Sequence, residues 1–301
     1  MVSILLLTVS TLAQSTPVMN SGTDHALAAV IERWFHDSLV NEEDSREVTK
    51  AKDLYERTGL PRLSQVGDRA AYEFIVLLAS DKLPMGLRSQ VLVNVKKGAA
   101  RHELPADAAT FYEVRLHLEQ LKQKAEAHPP SNPGLRDEIE RMYKTDQAVR
   151  QREGFDAKKL TETDQENAGP LRVILGKYGV PTYSMVGPQA AGDFVTMIQH
   201  QPPAFRQEAL PQLKANVAKG EADPESYALV YDRSQRDLGK KQLYGEQLEC
   251  NAGEPLHEAP LEDETRVDRR RAELGLIRMK LYARIVKETM PQICAQSAMA
   301  K

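Results

Sequence analysis

Two segments of this chain are ungapped versions of one another: residues 59–74, GLPRLSQVGDRAAYEF, and residues 179–194, GVPTYSMVGPQAAGDF, agree at eight of sixteen positions. The shared residues are Gly59/Gly179, Pro61/Pro181, Ser64/Ser184, Val66/Val186, Gly67/Gly187, Ala70/Ala190, Ala71/Ala191 and Phe74/Phe194. They are turn formers and small packing residues, which fix the path of a backbone and carry no chemistry of their own. Whatever one segment folds into, the other is expected to repeat.

The likeness extends in both directions. Ile31-Glu32-Arg33-Trp34-Phe35-His36 parallels Ile139-Glu140-Arg141-Met142-Tyr143-Lys144, and Asn94-Val95-Lys96-Lys97-Gly98 parallels Asn216-Val217-Ala218-Lys219-Gly220. Pro105 and Pro224 precede Tyr112-Glu113 and Tyr231-Asp232 at equal distances. A unit of about a hundred residues is too long for a solenoid repeat and has the size of a small domain, so the pattern predicts an old duplication of one helical module. The expected division is a signal-like segment at 1–20, a degenerate module at 25–126 and a second module at 134–301. The proline-rich stretch Ala127-His128-Pro129-Pro130-Ser131-Asn132-Pro133-Gly134 lies between the modules.

Apolar residues at helical spacing recur throughout, as in Leu27, Val30, Ile31, Trp34, Phe35 and again in Leu135, Ile139, Met142, Tyr143, whereas strand alternation is missing from 70–78 and 190–198. The fold class expected is all-α. Asp223-Pro224 reads as a capped helix start and Gly239 as its stop. Residues 249–264 lack periodicity; after them an arginine-rich helix is expected over 265–274, stopped by Gly275, and a last helix over about 278–289.

With 40 basic against 43 acidic residues the formal charge is −3, both signs are interspersed, and aromatics are 6%. Neither a basic stripe nor a stacking surface is present, so nucleic-acid binding is not expected. Residues 1–15, MVSILLLTVSTLAQS, resemble the core of a secretory signal ending near Ala13, without the basic residues that usually precede one. The expected location is periplasmic or secreted, the alternative cytoplasmic, and no transmembrane segment is expected in the mature chain. An oxidising compartment would join Cys250 to Cys294; in the cytosol they would be two unrelated thiols.

Phosphate loops, nucleophile elbows, SxxK, HExxH and CxxC arrangements are all missing, and the seven histidines are scattered, so neither a metal nor a cofactor is expected. The more informative signal is the set of polar residues that the second copy has and the first lacks. Asp146 continues the apolar stripe of Leu135, Ile139 and Met142, with Arg150 one turn on, where the first copy has Ser38. A carboxylate on a packing face needs a partner, so this pair is either an internal tie or part of a lined cavity. His200 replaces Ser80 and Asp232-Arg233 replaces Glu113-Val114. A histidine oriented by a carboxylate can act as a general base; a histidine closing a helix more commonly bonds a carbonyl.

The segments DRSQRDLGKKQLYGEQL from Asp232 and VDRRRAELGL from Val267 resemble a bacterial family of domains of unknown function. Its signature reads approximately DR, GxxQxYGTQ and VDxRRxxxGL, preceded by DQxxR and by a histidine with a glutamine shortly after. The matching residues are Asp146, Gln147, Arg150, His200, Gln207, Asp232, Arg233, Gly239, Gln242, Tyr244, Gly245, Gln247, Val267, Asp268, Arg270, Arg271, Gly275 and Leu276, spanning about 135–282. Glu246 stands where that family usually has threonine. The resemblance implies no activity, substrate or cofactor. Gln242, Tyr244 and Gln247 around Gly245 either bind a polar ligand or satisfy buried backbone groups. Arg270 and Arg271 either line a solvated face or reach acids such as Asp146 or Asp232. The reading taken forward is an exported binding module for a polar ligand or an envelope protein; the alternative is a hydrolase using His200 with Asp232 or Asp146.

Overall fold

The computed structural model describes residues 24–40, 45–150, 156–250 and 256–289. Among them the chain is all-α, thirteen helices with one short two-stranded ribbon. The first half runs through α1 (His25–Val40), α2 (Arg46–Thr58), α3 (Leu63–Leu78), α4 (Met85–Ala100) and α5 (Ala108–Glu126). The second runs through α6 (Pro133–Arg150), α7 (Ala157–Tyr178), the single turn α8 (Tyr183–Val186), α9 (Pro188–Gln199), α10 (Pro203–Ala218) and α11 (Pro224–Asp237). Strands β1 (Leu248–Glu249) and β2 (His257–Glu258) pair antiparallel in the stretch that shows no periodicity, and α12 (Val267–Glu273) and α13 (Met279–Thr289) follow.

Local sequence explains these elements. In α2 the buried Val48, Ala51 and Tyr55 recur at steps of three and four, so one face docks while the charged remainder stays wet. Helix α11 starts where Asp223 accepts the backbone N–H of Ser226 at 2.8 Å, with Pro224 in the first position, where no amide is needed. In both halves the shared Gly-Pro segment bends the chain at a positive-φ glycine: Gly67 (φ 78°) interrupts α3 and Gly187 (φ 87°) parts α8 from α9. A side chain disfavours that conformation, and the bend turns Val66, Ala70, Ala71, Phe74 and Val186, Ala190, Ala191, Phe194 into two buried cores.

One element of the internal alignment needs correction. Helix α4 ends with Glu103 N–H donating to Gly98 O and His102 at φ 58°, while α10 ends with Glu221 N–H donating to Asn216 O and Gly220 at φ 69°. The counterpart of Asn216 is therefore Gly98, and the match of Asn94–Gly98 with Asn216–Gly220 is out by one helical turn. A four-residue slip keeps every side chain on nearly the same face, so hydrophobic pattern does not detect it.

The last two helices return to the first half. Ala272 and Leu281 join its core, Arg284 donates to Glu73 at 2.6 Å, and Arg278 bonds both Asp107 and Asp68. Gly275 (φ 69°) makes the crossing: a Cβ there would meet the Arg115 backbone nitrogen at 3.1 Å. Gly275→Ala is expected to cost about 1–3 kcal/mol by left-handed strain and crowding. By contrast, Gly192→Ala in α9, where a Cβ meets nothing within 4 Å, should be neutral or gain up to ~1 kcal/mol. Urea unfolding of the two variants provides the comparison.

No helix among the described residues is long and apolar enough to cross a membrane. The leader-like residues 1–20 and Cys294 lie outside the described residues, and with Cys294 so does the pairing expected with Cys250.

Candidate functional site

The polar residues singled out in the second half divide into two groups. The first surrounds the loop after α11. Asp232, 0% exposed, accepts backbone N–H groups from Leu243 (2.7 Å) on Oδ1 and from Tyr244 and Glu246 (3.0 Å each) on Oδ2. Gln242 donates to Gln247 O (3.1 Å) and Ala259 O (2.6 Å) and accepts Gln247 N–H (2.9 Å), clamping the loop to the strand that follows. Tyr244 packs edge-on to Tyr227 and Tyr231. Arg271, 1% exposed, donates to Tyr244 O and to Glu246 Oε1, both at 2.7 Å, and lies over the Tyr282 ring.

Asp232, Gln242, Tyr244, Gln247 and Arg271 therefore come together in the interior, where the side chains of Asp232, Gln242 and Arg271 are spent on backbone groups and on Glu246. Burial raises the pKa of the Asp232 carboxyl against the opposing pull of the loop amides. The Glu246 carboxyl is pushed by burial up to about 7, with Arg271 pulling it down. Arg270 is half-buried at the edge, donating to Glu262 at 3.2 Å.

The second group lies at the junction of α6, α7, α9, α10 and α11. Asp146, 1% exposed, receives Arg150 through Nε (2.9 Å) and Nη2 (3.0 Å), as the i,i+4 spacing predicts, together with Gln147 (3.0 Å) and Asn167 (3.2 Å). Arg150 also reaches Asp164, whose backbone carbonyl accepts the Gln201 amide at 3.0 Å. His200 closes α9, and its neighbours on both sides are gripped by arginines. Arg206 donates to Gln199 O (3.0 Å) and Gln201 O (2.7 Å), and Arg233 donates to Gln199 O at 3.4 Å.

Three arginines and three aspartates surround His200, unevenly paired. Arg150 is paired with Asp146 and Asp164, and Arg206 with Asp237. Arg233 has no carboxylate within ion-pair distance among the described residues, and its pKa is lowered by burial and by Arg206, with Asp237 opposing. The His200 ring, which makes no hydrogen bond among the described residues, is pushed down to about 4 by burial first and then by Arg150, with Arg233 and Arg206 adding to it and Asp146 opposing. A neutral imidazole and a guanidinium without an ion pair among the described residues thus share one half-buried position. Gln207 is exposed on α10 and takes no part; the buried glutamine is Gln201. Sequence reading also missed Asp164, Asn167 and Arg206. Their signals were the three-residue spacing of Asp164 and Asn167 on α7, and the place of Arg206, fourth in its helix, where the first half keeps the equally buried Arg88 in α4.

No cluster of three or more histidine, cysteine or acidic side chains able to hold a metal occurs among the described residues. A family model described as a family of unknown function (DUF6624) matches residues 133–292. Neither a curated protein nor a solved structure matches the chain.

Proposed function

Since the chain belongs to DUF6624, a family of unknown function, and the matched stretch contains Arg150, His200 and Arg233, we propose that it is a noncatalytic binding module that takes an oxyanion-bearing ligand beside His200. The observation that carries this reading is Arg233, a half-buried guanidinium with no carboxylate within ion-pair distance among the described residues, beside Arg150 and Arg206. Burying a guanidinium without a direct ion pair costs free energy, and a carboxylate, phosphate or sulfate group would supply both the charge and the acceptor geometry. The hydrolase alternative has less support. The oxygens of Asp232 and Asp146 are engaged by loop amides and by Arg150, Gln147 and Asn167, and an imidazole near 4 is a weak base at neutral pH.

Calorimetric titration with sulfate, phosphate and acetate tests the proposal. Arg233→Met should weaken oxyanion binding by roughly tenfold or more, the worth of a charge-assisted hydrogen bond. It should change stability by less than about 1 kcal/mol, because no ion pair is broken. A bound anion favours the protonated ring, so binding takes up a proton. Sulfate, whose own charge is constant over this range, should therefore bind more tightly as pH falls from 8 toward 5. Equal binding to wild type and Arg233→Met, or binding that loosens on acidification, would contradict it.

Export, a Cys250–Cys294 bridge and descent of both halves from one module complete the proposal. They are supported respectively by the apolar stretch before Ala13, the two-cysteine count, and the shared Gly-Pro segment with its positive-φ bend. Intact mass of secreted protein without reduction reads the first two together; an uncleaved chain with two alkylated thiols would exclude both.

A further inference from the structure

A hollow of about 330 Å³ lies away from this site, between α5 of the first half and α8, α9 and the start of α11 in the second. The two copies differ here in a direction that opens it. Gly192 stands where the first half holds the buried ring of Tyr72, and Tyr183 where it holds Leu63, so the second copy loses a ring from this wall and gains a hydroxyl. A Cβ on Gly192 would meet nothing within 4 Å. Tyr183, on the same wall, is 8% exposed; its hydroxyl makes no hydrogen bond among the described residues and, unlike that of Tyr72, keeps surface open to solvent. The hydroxyl of a packed tyrosine ordinarily finds a partner, so one left open on the wall of a hollow is placed to take it from inside.

The charges acting on this hydroxyl select the partner. Burial first, and then Asp223, Glu126, Glu119 and Glu221, hold the Tyr183 phenol above its ordinary value, so it stays protonated in a field set by carboxylates. Two bases also line the hollow, but Lys122 lies 4.0 Å from Glu126 on its own helix, and Arg115 lies beside Gly275 and Glu225. These acids do not form a cluster able to hold a metal among the described residues, so the cation that fits is an organic one. An ammonium group donates up to three hydrogen bonds and accepts none, which suits a phenol oxygen flanked by carboxylates, and the volume falls within the ~300–1,000 Å³ of small-molecule sites. We infer that the hollow between α5 and α8–α9 binds a small aliphatic amine of the diamine or polyamine class, its ammonium donating to the Tyr183 hydroxyl and pairing with Asp223 and Glu119, its carbon chain lying against Gly192. The site shares no residue with the oxyanion site and does not rest on that reading.

Calorimetry on the full chain with putrescine and spermidine, against succinate and glucose as anionic and neutral probes, tests the inference. At least one of the two amines should bind. Tyr183→Phe should weaken it by about tenfold or more, the equivalent of one charge-assisted hydrogen bond. The same variant should keep its melting temperature within about 2 °C, because that hydroxyl bonds nothing in the fold. Gly192→Leu, whose side chain would occupy the hollow, should abolish binding. Absence of amine binding to wild type, preference for succinate or glucose, amine affinity unchanged in either variant, or a marked melting loss in Tyr183→Phe would each overturn it. An affinity that Tyr183→Phe leaves untouched would mean that the amine is no more than a counter-ion of the surface carboxylates.

Discussion

Arg271→Met is expected to lower the unfolding free energy by about 3–5 kcal/mol, as breaking one side of a buried ion pair does. The guanidinium is 1% exposed and bonds Glu246, the Tyr244 carbonyl and the Ile277 carbonyl, so its removal leaves three acceptors without a donor in a dry interior. Glu246 then has no cation beside it, and its carboxyl, already pushed up to about 7 by burial, rises further. A folded-state acid that holds its proton above the unfolded value of ~4.3 stabilises the fold when protonated, and that contribution is lost as pH rises through this window. The deficit of Arg271→Met relative to wild type should therefore be larger at pH 8 than at pH 5. Adding Glu246→Leu should recover part of it, because an apolar replacement of both partners leaves no charge stranded. Urea titrations at the two pH values measure all of this.

Asp232→Ala should be comparably severe, about 3–5 kcal/mol, the sum of several buried amides left without an acceptor at ~1–3 kcal/mol each. The carboxylate gathers the N–H groups of Leu243, Tyr244 and Glu246, which gives residues 242–247 their turn and holds Gln242 against Ala259. Asp232→Asn, which keeps one acceptor oxygen, should fall between wild type and alanine. Hydrogen exchange should show the amides of 243–246 opening first in both variants. Exchange in those amides unchanged from wild type would show that the carboxylate is not what shapes the loop.

These two residues show where sequence reading stops. The Asp146–Arg150 tie was legible because it depends on the fixed i,i+4 geometry of a helix, and the bends at Gly67 and Gly187 because glycine followed by a packing motif appears twice. The partners of Asp232 lie eleven to fourteen residues away across a loop whose path no periodicity encodes, so its neighbourhood in Arg233 and His200 suggested a site where the fold makes a closed network. Arg206 was overlooked because an isolated arginine at a helix start reads as surface, and only tertiary packing aims it at the carbonyls flanking His200. The crossing of α12 and α13 to the first core was likewise invisible, since an amphipathic helix states that it needs a partner and not which one.

The separation of a closed network around Asp232 from the arginine-flanked position proposed to bind an oxyanion at His200 is read most directly from the imidazole of His200. Its side-chain NMR signals, followed from pH 3 to 8, should titrate near 4, well below the ordinary 6.5, and move upward when sulfate is added to wild type but not to Arg233→Met. A midpoint close to 6.5 that ignores sulfate would mean that the ring is solvated and unopposed by charge, and that no anion site exists there.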